Sequence, residues 1–217
     1  MKNIILGLLA TMMFLLPTSL VHEFGRYLTL KMFRVPIKEF GFGSGPLLYQ
    51  RKKSITRSIR MFPFMAYVDF DETNNFYLNL ARWKKIIIFF AGIIGNLSLA
   101  FILIIPIWLN HVKFDIALYQ IILACNTRLG IGPISFIKII IRTISYGFIP
   151  TMLFLGIFSL LAGIANLFPL PGFDGGWILT TLLKIPETKY SPITKKSIKI
   201  INFIVFIICL VDIILLL

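Results

Sequence analysis

Long apolar stretches separated by polar segments dominate the pattern of this chain. A helix that crosses a bilayer needs about 20 mostly apolar residues, and four stretches meet that requirement. They run from about residue 4 to 33, 86 to 109, 146 to 168 and 198 to 217. The pattern therefore predicts a membrane protein of the all-α class, with residues 1–217 forming one integral-membrane domain of about four transmembrane helices.

The opening stretch resembles the core of a secretory signal peptide between Ile4 and Leu16. No small-residue cleavage site follows it, and the polar pair His22 and Glu23 lies within the same apolar stretch. We therefore interpret residues 4–33 as a helix that is retained, with Pro17 as a possible kink.

The polar segment between the first two apolar stretches, Arg34–Lys85, has a different character. Its first part contains residues that break helices, namely Gly41, Gly43, Gly45 and Pro46. Its second part, Ser54–Phe70, is prone to form β-structure without clean alternation. We expect one or two short β-hairpins here, associated with the membrane on its cytoplasmic side.

Two further patterns concern helices. Residues 131–144 combine apolar positions with Lys138 and Arg142 four residues apart, which predicts an amphipathic helix along the membrane. In the second apolar stretch, Gly92 and Gly95 would let another helix approach closely.

Composition and charge support a bilayer as the solvent. The chain is 58% hydrophobic and only 14% charged, whereas soluble domains average roughly 25% charged residues.

The net charge of +13 comes from basic residues that cluster between the apolar stretches, ten of them in Arg34–Lys85 and five in Lys184–Lys199. The positive-inside rule places these two loops in the cytoplasm and predicts a multi-pass protein of the cell membrane. No nucleic-acid motif accompanies the charge, so we expect no nucleic-acid partner.

Few residues could bind a metal through sulfur or imidazole. The chain contains two cysteines, Cys125 and Cys209, far apart and outside any CxxC pair, and two histidines, His22 and His111. A disulfide framework and a cysteine zinc site are both unsupported.

The pair His22-Glu23 lies inside an apolar helix, where ionisable side chains cost a few kcal/mol and are usually functional. A position at a wet boundary is the alternative reading. The string from His22 to Arg26 differs by one residue from the H-E-x-x-H pattern of zinc proteases. In that pattern two imidazoles on one helix face hold zinc, and the glutamate polarises the metal-bound water. Here Arg26 occupies the place of the second histidine.

A second group of chemistry-bearing residues runs from Asn166 to Gly176 and reads N-L-F-P-L-P-G-F-D-G-G. Its prolines and glycines could simply end a membrane helix. Irregular backbone at membrane depth is tolerated only where protein or a water-filled cavity surrounds it, however. Asp174 is therefore a candidate third metal ligand.

These two patterns, in this order, resemble the site-2 protease family of intramembrane zinc metalloproteases. The glycine-rich segment Glu39–Pro46 is similar to the membrane-associated β-hairpin of that family, so that the resemblance covers nearly the whole chain. The chain departs from the family in one respect. Many members carry a PDZ domain between the second and third helices, and here the segment between those predicted helices is too short for such a domain.

The resemblance implies zinc as the cofactor and a transmembrane protein or peptide, cleaved within the lipid bilayer, as the substrate. It implies His22, a histidine at position 26 and Asp174 as zinc ligands, with Glu23 as the catalytic residue that activates water. It also implies that Asn166 positions the substrate, and that the hairpin around Gly41 and Gly43 adds a strand to an unwound substrate.

Arg26 conflicts with the zinc site that the resemblance implies. A guanidinium has no lone pair for a metal, stays protonated and would repel a dication in a low-dielectric site. It could instead pair with Glu23 or Asp174. The sequence thus argues against zinc binding. Three explanations stay open: a natural inactive homologue, an introduced inactivating substitution, and weak metal binding through two protein ligands and water.

Two functions of different classes therefore follow from the sequence. The first is an intramembrane zinc metalloprotease that is impaired or inactive because of Arg26. The second is a non-catalytic membrane protein, a pseudoprotease, that binds transmembrane segments. A transporter is disfavoured because the sequence shows no inverted repeat.

Overall fold

The computed structural model describes residues 2–72, 74–125 and 133–186, together with 192–194, 196, 197, 200 and 204. Within these residues the chain is mostly helical, with one small sheet. The elements, in chain order, are α1 (Lys2–Met32), β1 (Ile37–Arg51), β2 (Thr56–Phe70), α2 (Asn75–Leu78), α3 (Arg82–Trp108), α4 (His111–Cys125), α5 (Pro133–Ser145), α6 (Phe148–Asn166) and α7 (Asp174–Leu182).

The three long helices α1, α3 and α6 coincide with the first three predicted apolar helices to within a few residues. In the described part of the chain, α3 and α6 are long and apolar enough to cross a membrane. The fourth predicted span, 198–217, lies outside the described residues except for two isolated positions. The largely helical fold is thus confirmed, and the number of four spans stays a prediction.

Helices α1 and α3 pack backbone to backbone through glycines. A Cβ atom added at Gly25 would lie 2.3 Å from the carbonyl oxygen of Ala91, and one at Gly95 would lie 2.5 Å from that of Val21. Both distances are far below van der Waals contact, so a side chain at either position would force the helices apart. The close approach that Gly92 and Gly95 predict is confirmed for α1 as the partner helix.

The sheet is formed by β1 and β2, which pair antiparallel and are longer than the short hairpins expected from the sequence. Both strands bend. As a result, Phe40 of β1 has two partners in β2, with Val68 on one side and Arg57 on the other. The bend in β1 falls at Gly43 and Gly45, whose φ angles of 91° and 81° are accessible to glycine at little cost.

A hydrogen bond from a backbone amide to a side-chain hydroxyl attaches the sheet to α1. The amide of Ala66 in β2 donates to the hydroxyl of Ser19 at 2.9 Å. The sheet therefore lies along the second half of α1, the half that also carries His22 and Arg26.

Helix α5 confirms the predicted amphipathic helix. Lys138 and Arg142 are exposed on one face, whereas Ile140 and Thr143 are fully buried on the other. Its position relative to a membrane stays a prediction.

The sequence pattern did not predict the short helix α2 or the longer helices α4 and α7. Helix α4 buries a narrow stripe of small and medium side chains, Ala117, Ile121 and Ala124, between polar positions. Helix α7 starts with Asp174 and two glycines, which are typical of a loop. Tertiary packing overrides weak local propensity in α4 and α7.

The largest buried cluster of apolar side chains joins the end of α1, the sheet, α3 and α7. It contains Leu30, Val35, Val68, Phe70, Tyr77, Ile88, Phe89, Ile93, Trp177 and Ile178. Within it the rings of Phe89 and Trp177 stack with their centroids 5.5 Å apart. This cluster fixes α7 against α1 and α3.

The sheet also contains a network of polar side chains centred on Glu39. One carboxylate oxygen of Glu39 accepts hydrogen bonds from Ser58 and Tyr67 and lies 3.7 Å from the Arg60 guanidinium. Partial burial opposes the charged form, but these hydrogen bonds and the guanidinium outweigh it and lower the pKa of Glu39 below its ordinary value of 4.5.

We expect Gly25→Ala to lower the free energy of unfolding by about 1–3 kcal/mol, because the new methyl group overpacks the contact between α1 and α3. Ser98→Ala, on an exposed position of α3, is the control and should change little. Thermal unfolding in detergent micelles measures both effects. Equal stability of Gly25→Ala and the unaltered protein would contradict the backbone-to-backbone packing.

We expect Glu39→Gln to cost about 2 kcal/mol of stability at neutral pH, since hydrogen bonds to a charged acceptor are lost. The folded-state pKa is lowered, so this stabilisation is fully present above about 4.5 and is lost as pH falls through the folded-state pKa. Unfolding temperatures of the two proteins measured from pH 7 to pH 3 should therefore converge at low pH. A difference that stays constant over this range would mean that the carboxylate charge is not the source.

Candidate active site

The site lies where α1, α3 and α7 meet. In α1, His22 and Arg26 are four residues apart and point to the same side of the helix. Both reach Asp174, the first residue of α7: His22 Nε2 lies 3.0 Å from Asp174 Oδ2, and Arg26 forms a salt bridge with Asp174 Oδ1. The structure thus brings together two residues that are 148 positions apart in the chain, Arg26 and Asp174.

The turn between α6 and α7 determines the position of Asp174. Gly172 has a φ of 105°, which a residue with a side chain rarely adopts. A Cβ atom at Gly175 would lie 2.1 Å from the carbonyl oxygen of Leu167, so α7 starts directly against the end of α6. The carboxylate of Asp174 is therefore held in the first turn of α7, where the helix dipole favours a negative charge.

Helix α3 supports the imidazole of His22 from the other side. The Asn96 amide nitrogen lies 3.3 Å from His22 Nδ1, and Gly92 leaves room for the ring, since a Cβ there would lie 2.6 Å from Nε2. The hydroxyl of Ser159 in α6 donates to the carbonyl of Asn96 at 2.9 Å. Asn96 and Ser159 are fully buried and connect the site to α6.

Asn96 is a site residue that the sequence reasoning did not select. Its signal was present, because a carboxamide in the middle of an otherwise apolar membrane helix is costly and needs a partner. The partner, His22, could not be identified without the packing of α1 on α3.

Arg26 lies between two carboxylates. Besides its salt bridge with Asp174, its Nη1 atom lies 3.6 Å from Glu23 Oε1, and its guanidinium carbon lies 5.4 Å from the centre of the Phe89 ring. The side chains of Glu23 and Arg26 are about 15% exposed and that of Asp174 is 5% exposed. Buried charges of this kind require partners, and Arg26 supplies one positive charge against two negative ones.

The residues present do not fit a catalytic zinc ion. Such a site uses three protein ligands and a water molecule. Only His22 Nε2 and Asp174 Oδ2 face each other here, and this Asp174 oxygen has no partner in hydrogen-bond geometry. The other oxygen of Asp174 is bound to Arg26. Over the described ranges of the chain, no group of three or more His, Cys, Asp or Glu side chains could hold a metal ion.

The remaining histidine and cysteine offer no replacement. His111 begins α4 and its ring packs edge-on against Trp108, with centroids 5.9 Å apart. Cys125 is exposed at the other end of α4. Cys209 lies outside the described residues.

The predicted substrate-positioning residues lie in two different places. Asn166 ends α6, and its amide donates to the carbonyl of Ala162 at 3.0 Å. Gly41 is buried in β1 and lies opposite Tyr67 on one side and Ser58 on the other. A substrate strand added at the edge of the sheet would therefore not pair with Gly41 itself.

An open apolar groove of about 600 Å³ runs between α1 and α3. Bulky side chains form its walls, among them Val21, Phe24, Leu28, Ile87, Phe90 and Ile94. Gly25 and Gly95, the glycines of the helix contact, also line it. Its lining is almost wholly apolar.

Comparisons of the sequence with known proteins indicate a family. The sequence profile of peptidase family M50 matches residues 9–211. A protein of Fusobacterium nucleatum whose name assigns it to the zinc metalloproteases is 35% identical over 91 residues, which cover 39% of this chain and 27% of that protein. A protein of Thermotoga maritima with the same designation is 29% identical over 103 residues, covering 42% of this chain and 21% of that protein.

The chain thus spans only about a quarter of the length of these curated relatives. The family profile, in contrast, matches nearly the full length of the chain, including both α1 with its His22-Glu23 pair and the Asn166–Gly176 segment. The chain belongs to peptidase family M50, the site-2 protease family.

Proposed function

We propose that this chain is a multi-pass membrane protein of the site-2 protease family that receives transmembrane segments and cleaves them slowly or not at all. The family consists of membrane zinc metalloproteases. The observation that carries the proposal is the salt bridge between Arg26 and Asp174, because it occupies the carboxylate on which a zinc site at this position would depend.

Zinc binding at this place would require several unfavourable changes. The Arg26–Asp174 salt bridge would have to break, which leaves a buried guanidinium without its main partner. That guanidinium would then repel the incoming dication at short range in a medium of low dielectric constant. Only two protein ligands would face the metal, one fewer than catalytic zinc sites use.

Contacts within the chain hold the other residues of the site. Asn96 holds the His22 ring from α3, and Arg26 lies beside Glu23. Arg26 therefore opposes metal binding at a site whose other side chains are in place.

The groove between α1 and α3 favours substrate binding as the retained activity. Its apolar walls, formed by side chains of α1 and α3, suit an apolar helix. We propose that a transmembrane segment of another protein docks here, within the bilayer of the cell membrane. The second candidate function is that of a non-catalytic protein that binds transmembrane segments, and the same groove supports it.

We expect the protein as it stands to bind less than about 0.2 equivalents of zinc after dialysis against buffered zinc, and Arg26→His to bind close to one, because it restores three ligands. Elemental analysis of the purified proteins measures this. Arg26→Gln is the matched control. It removes the charge without supplying a ligand, so its zinc content should stay as low as that of the unaltered protein.

Retention of one equivalent of zinc by the unaltered protein, with cleavage that a chelator stops, would refute impairment. It would mean that a residue outside the described ranges completes the site.

We expect Arg26→His to recover cleavage of single-span membrane proteins reconstituted with it in liposomes. Adding Glu23→Gln should lower this cleavage at least about 100-fold while zinc stays bound, since a base rather than a ligand is lost. Gel electrophoresis of the substrates, alongside zinc analysis of the same samples, separates the two effects. Loss of zinc together with activity would instead assign Glu23 a ligand role.

We expect Arg26→Ala to lower the free energy of unfolding by about 3–5 kcal/mol, because it leaves the buried Asp174 carboxylate unpaired. Asp174→Asn in the same chain should restore part of the loss. Thermal unfolding of both single variants and the double variant gives the coupling between the two side chains. Effects that add within about 0.5 kcal/mol would show that the pair does not act as a unit.

A further inference from the structure

A second cavity, away from Asp174, is surrounded by basic side chains. It has a volume of about 280 Å³ and lies between the end of α1 and the turn that joins β1 to β2. Four cations line it, Lys31, Arg51, Lys53 and Arg57, together with Tyr27, Ser54 and Ile55. The lining contains no acidic residue.

These four cations have no acidic partner in the described part of the chain. Two other cations of the sheet do form ion pairs, but they do not line this cavity. Lys38 pairs with Asp71, and Arg60 pairs with Glu39. Four like charges around one small cavity repel each other, and an anion placed between them would remove that repulsion. The charge pattern indicates a negatively charged ligand.

An apolar cavity adjoins the basic one and indicates what kind of anion fits. It also measures about 280 Å³, shares Tyr27, Ile55 and Arg57 with the basic cavity, and is completed by Phe24, Phe40 and Phe42. A ligand that fills both has a charged end and an apolar end. A free inorganic anion would use only the first.

The surroundings place this pair of cavities where a lipid could reach it. The sheet exposes large apolar side chains, among them Leu48, Tyr49, Met61 and Met65, each at least half exposed. A soluble surface rarely carries such a patch, whereas a surface that dips into a bilayer does. Two of the cations, Arg51 and Arg57, line a further cavity together with Tyr49.

We propose that the basic cavity binds the phosphate headgroup of an anionic phospholipid, with an acyl chain lying against Phe24, Phe40 and Phe42. Arg51 and Arg57 donate paired hydrogen bonds to phosphate oxygens, for which a guanidinium is well shaped. Lys31 and Lys53 add charge, and the hydroxyls of Tyr27 and Ser54 are available as further donors. A lipid held there would anchor the sheet beside α1 whether or not the His22 site binds metal.

The test uses native mass spectrometry of the full chain in neutral detergent, with added phosphatidylglycerol or phosphatidylcholine of equal chain length. We expect one phosphatidylglycerol to bind at least about tenfold more tightly than phosphatidylcholine. Arg51→Gln with Arg57→Gln should weaken phosphatidylglycerol binding by roughly tenfold or more, since each basic residue near an anionic lipid headgroup strengthens binding several-fold. Lys138→Gln with Arg142→Gln, two exposed cations of α5, is the control with the same loss of charge and should leave binding unchanged.

Several results would overturn the proposal. Equal binding of the two lipids would remove the role of charge, and equal weakening in the control would show that total charge rather than this cavity decides. Inorganic phosphate that displaces the lipid at an equal concentration would identify the occupant as a free anion. If the double variant does not fold, Lys53→Gln in the turn provides the second variant, and its unchanged affinity would likewise contradict the site.

Discussion

The ion pair between Arg26 and Asp174 is the interaction on which the arrangement of the site depends. It connects the C-terminal part of α1 to the start of α7, across a chain separation that only the tertiary fold can close. Burying either charge alone would cost several kcal/mol, so each side chain requires the other to be in place. The glycine contacts between α1 and α3, and the stacking of Phe89 on Trp177, provide the rigid frame in which the two meet.

The same pair explains how a metalloprotease fold can exist without a complete metal site. The partly buried carboxylate of Glu23 and the buried one of Asp174 need positive charge nearby, and in this family a zinc ion is expected to supply it. Here a guanidinium fixed to the chain supplies part of it. A cation that belongs to the protein requires no metal in solution, but it contributes no vacant coordination position and no activated water. Under the proposed function, the fold and the apolar groove are kept while the chemistry is weakened.

Much of the helical framework could be predicted from the sequence, because long apolar stretches have few alternatives in a membrane. The first three helices and the amphipathic α5 follow from apolar length and periodicity. Gly92 and Gly95 predict that a helix packs closely on α3, but the identification of that helix as α1 required the structure. The lengths of β1 and β2 could not be predicted, because the bends at Gly43 and Gly45 join segments that look separate in the sequence.

Helices α4 and α7 depend on tertiary packing of short or glycine-containing segments, and the partner of Asn96 depends on how α1 and α3 are aligned. Arg26 could be named as a conflict from sequence alone, but its choice of Asp174 over Glu23 as the closer partner required the structure.

An experimental structure from crystals grown with zinc, with diffraction data collected at the zinc absorption edge, tests the central claim most directly. The account predicts no anomalous peak between His22 and Asp174, with the Arg26 guanidinium still bound to the Asp174 carboxylate. An anomalous peak about 2 Å from both His22 Nε2 and an Asp174 oxygen, with Arg26 turned away, would contradict it.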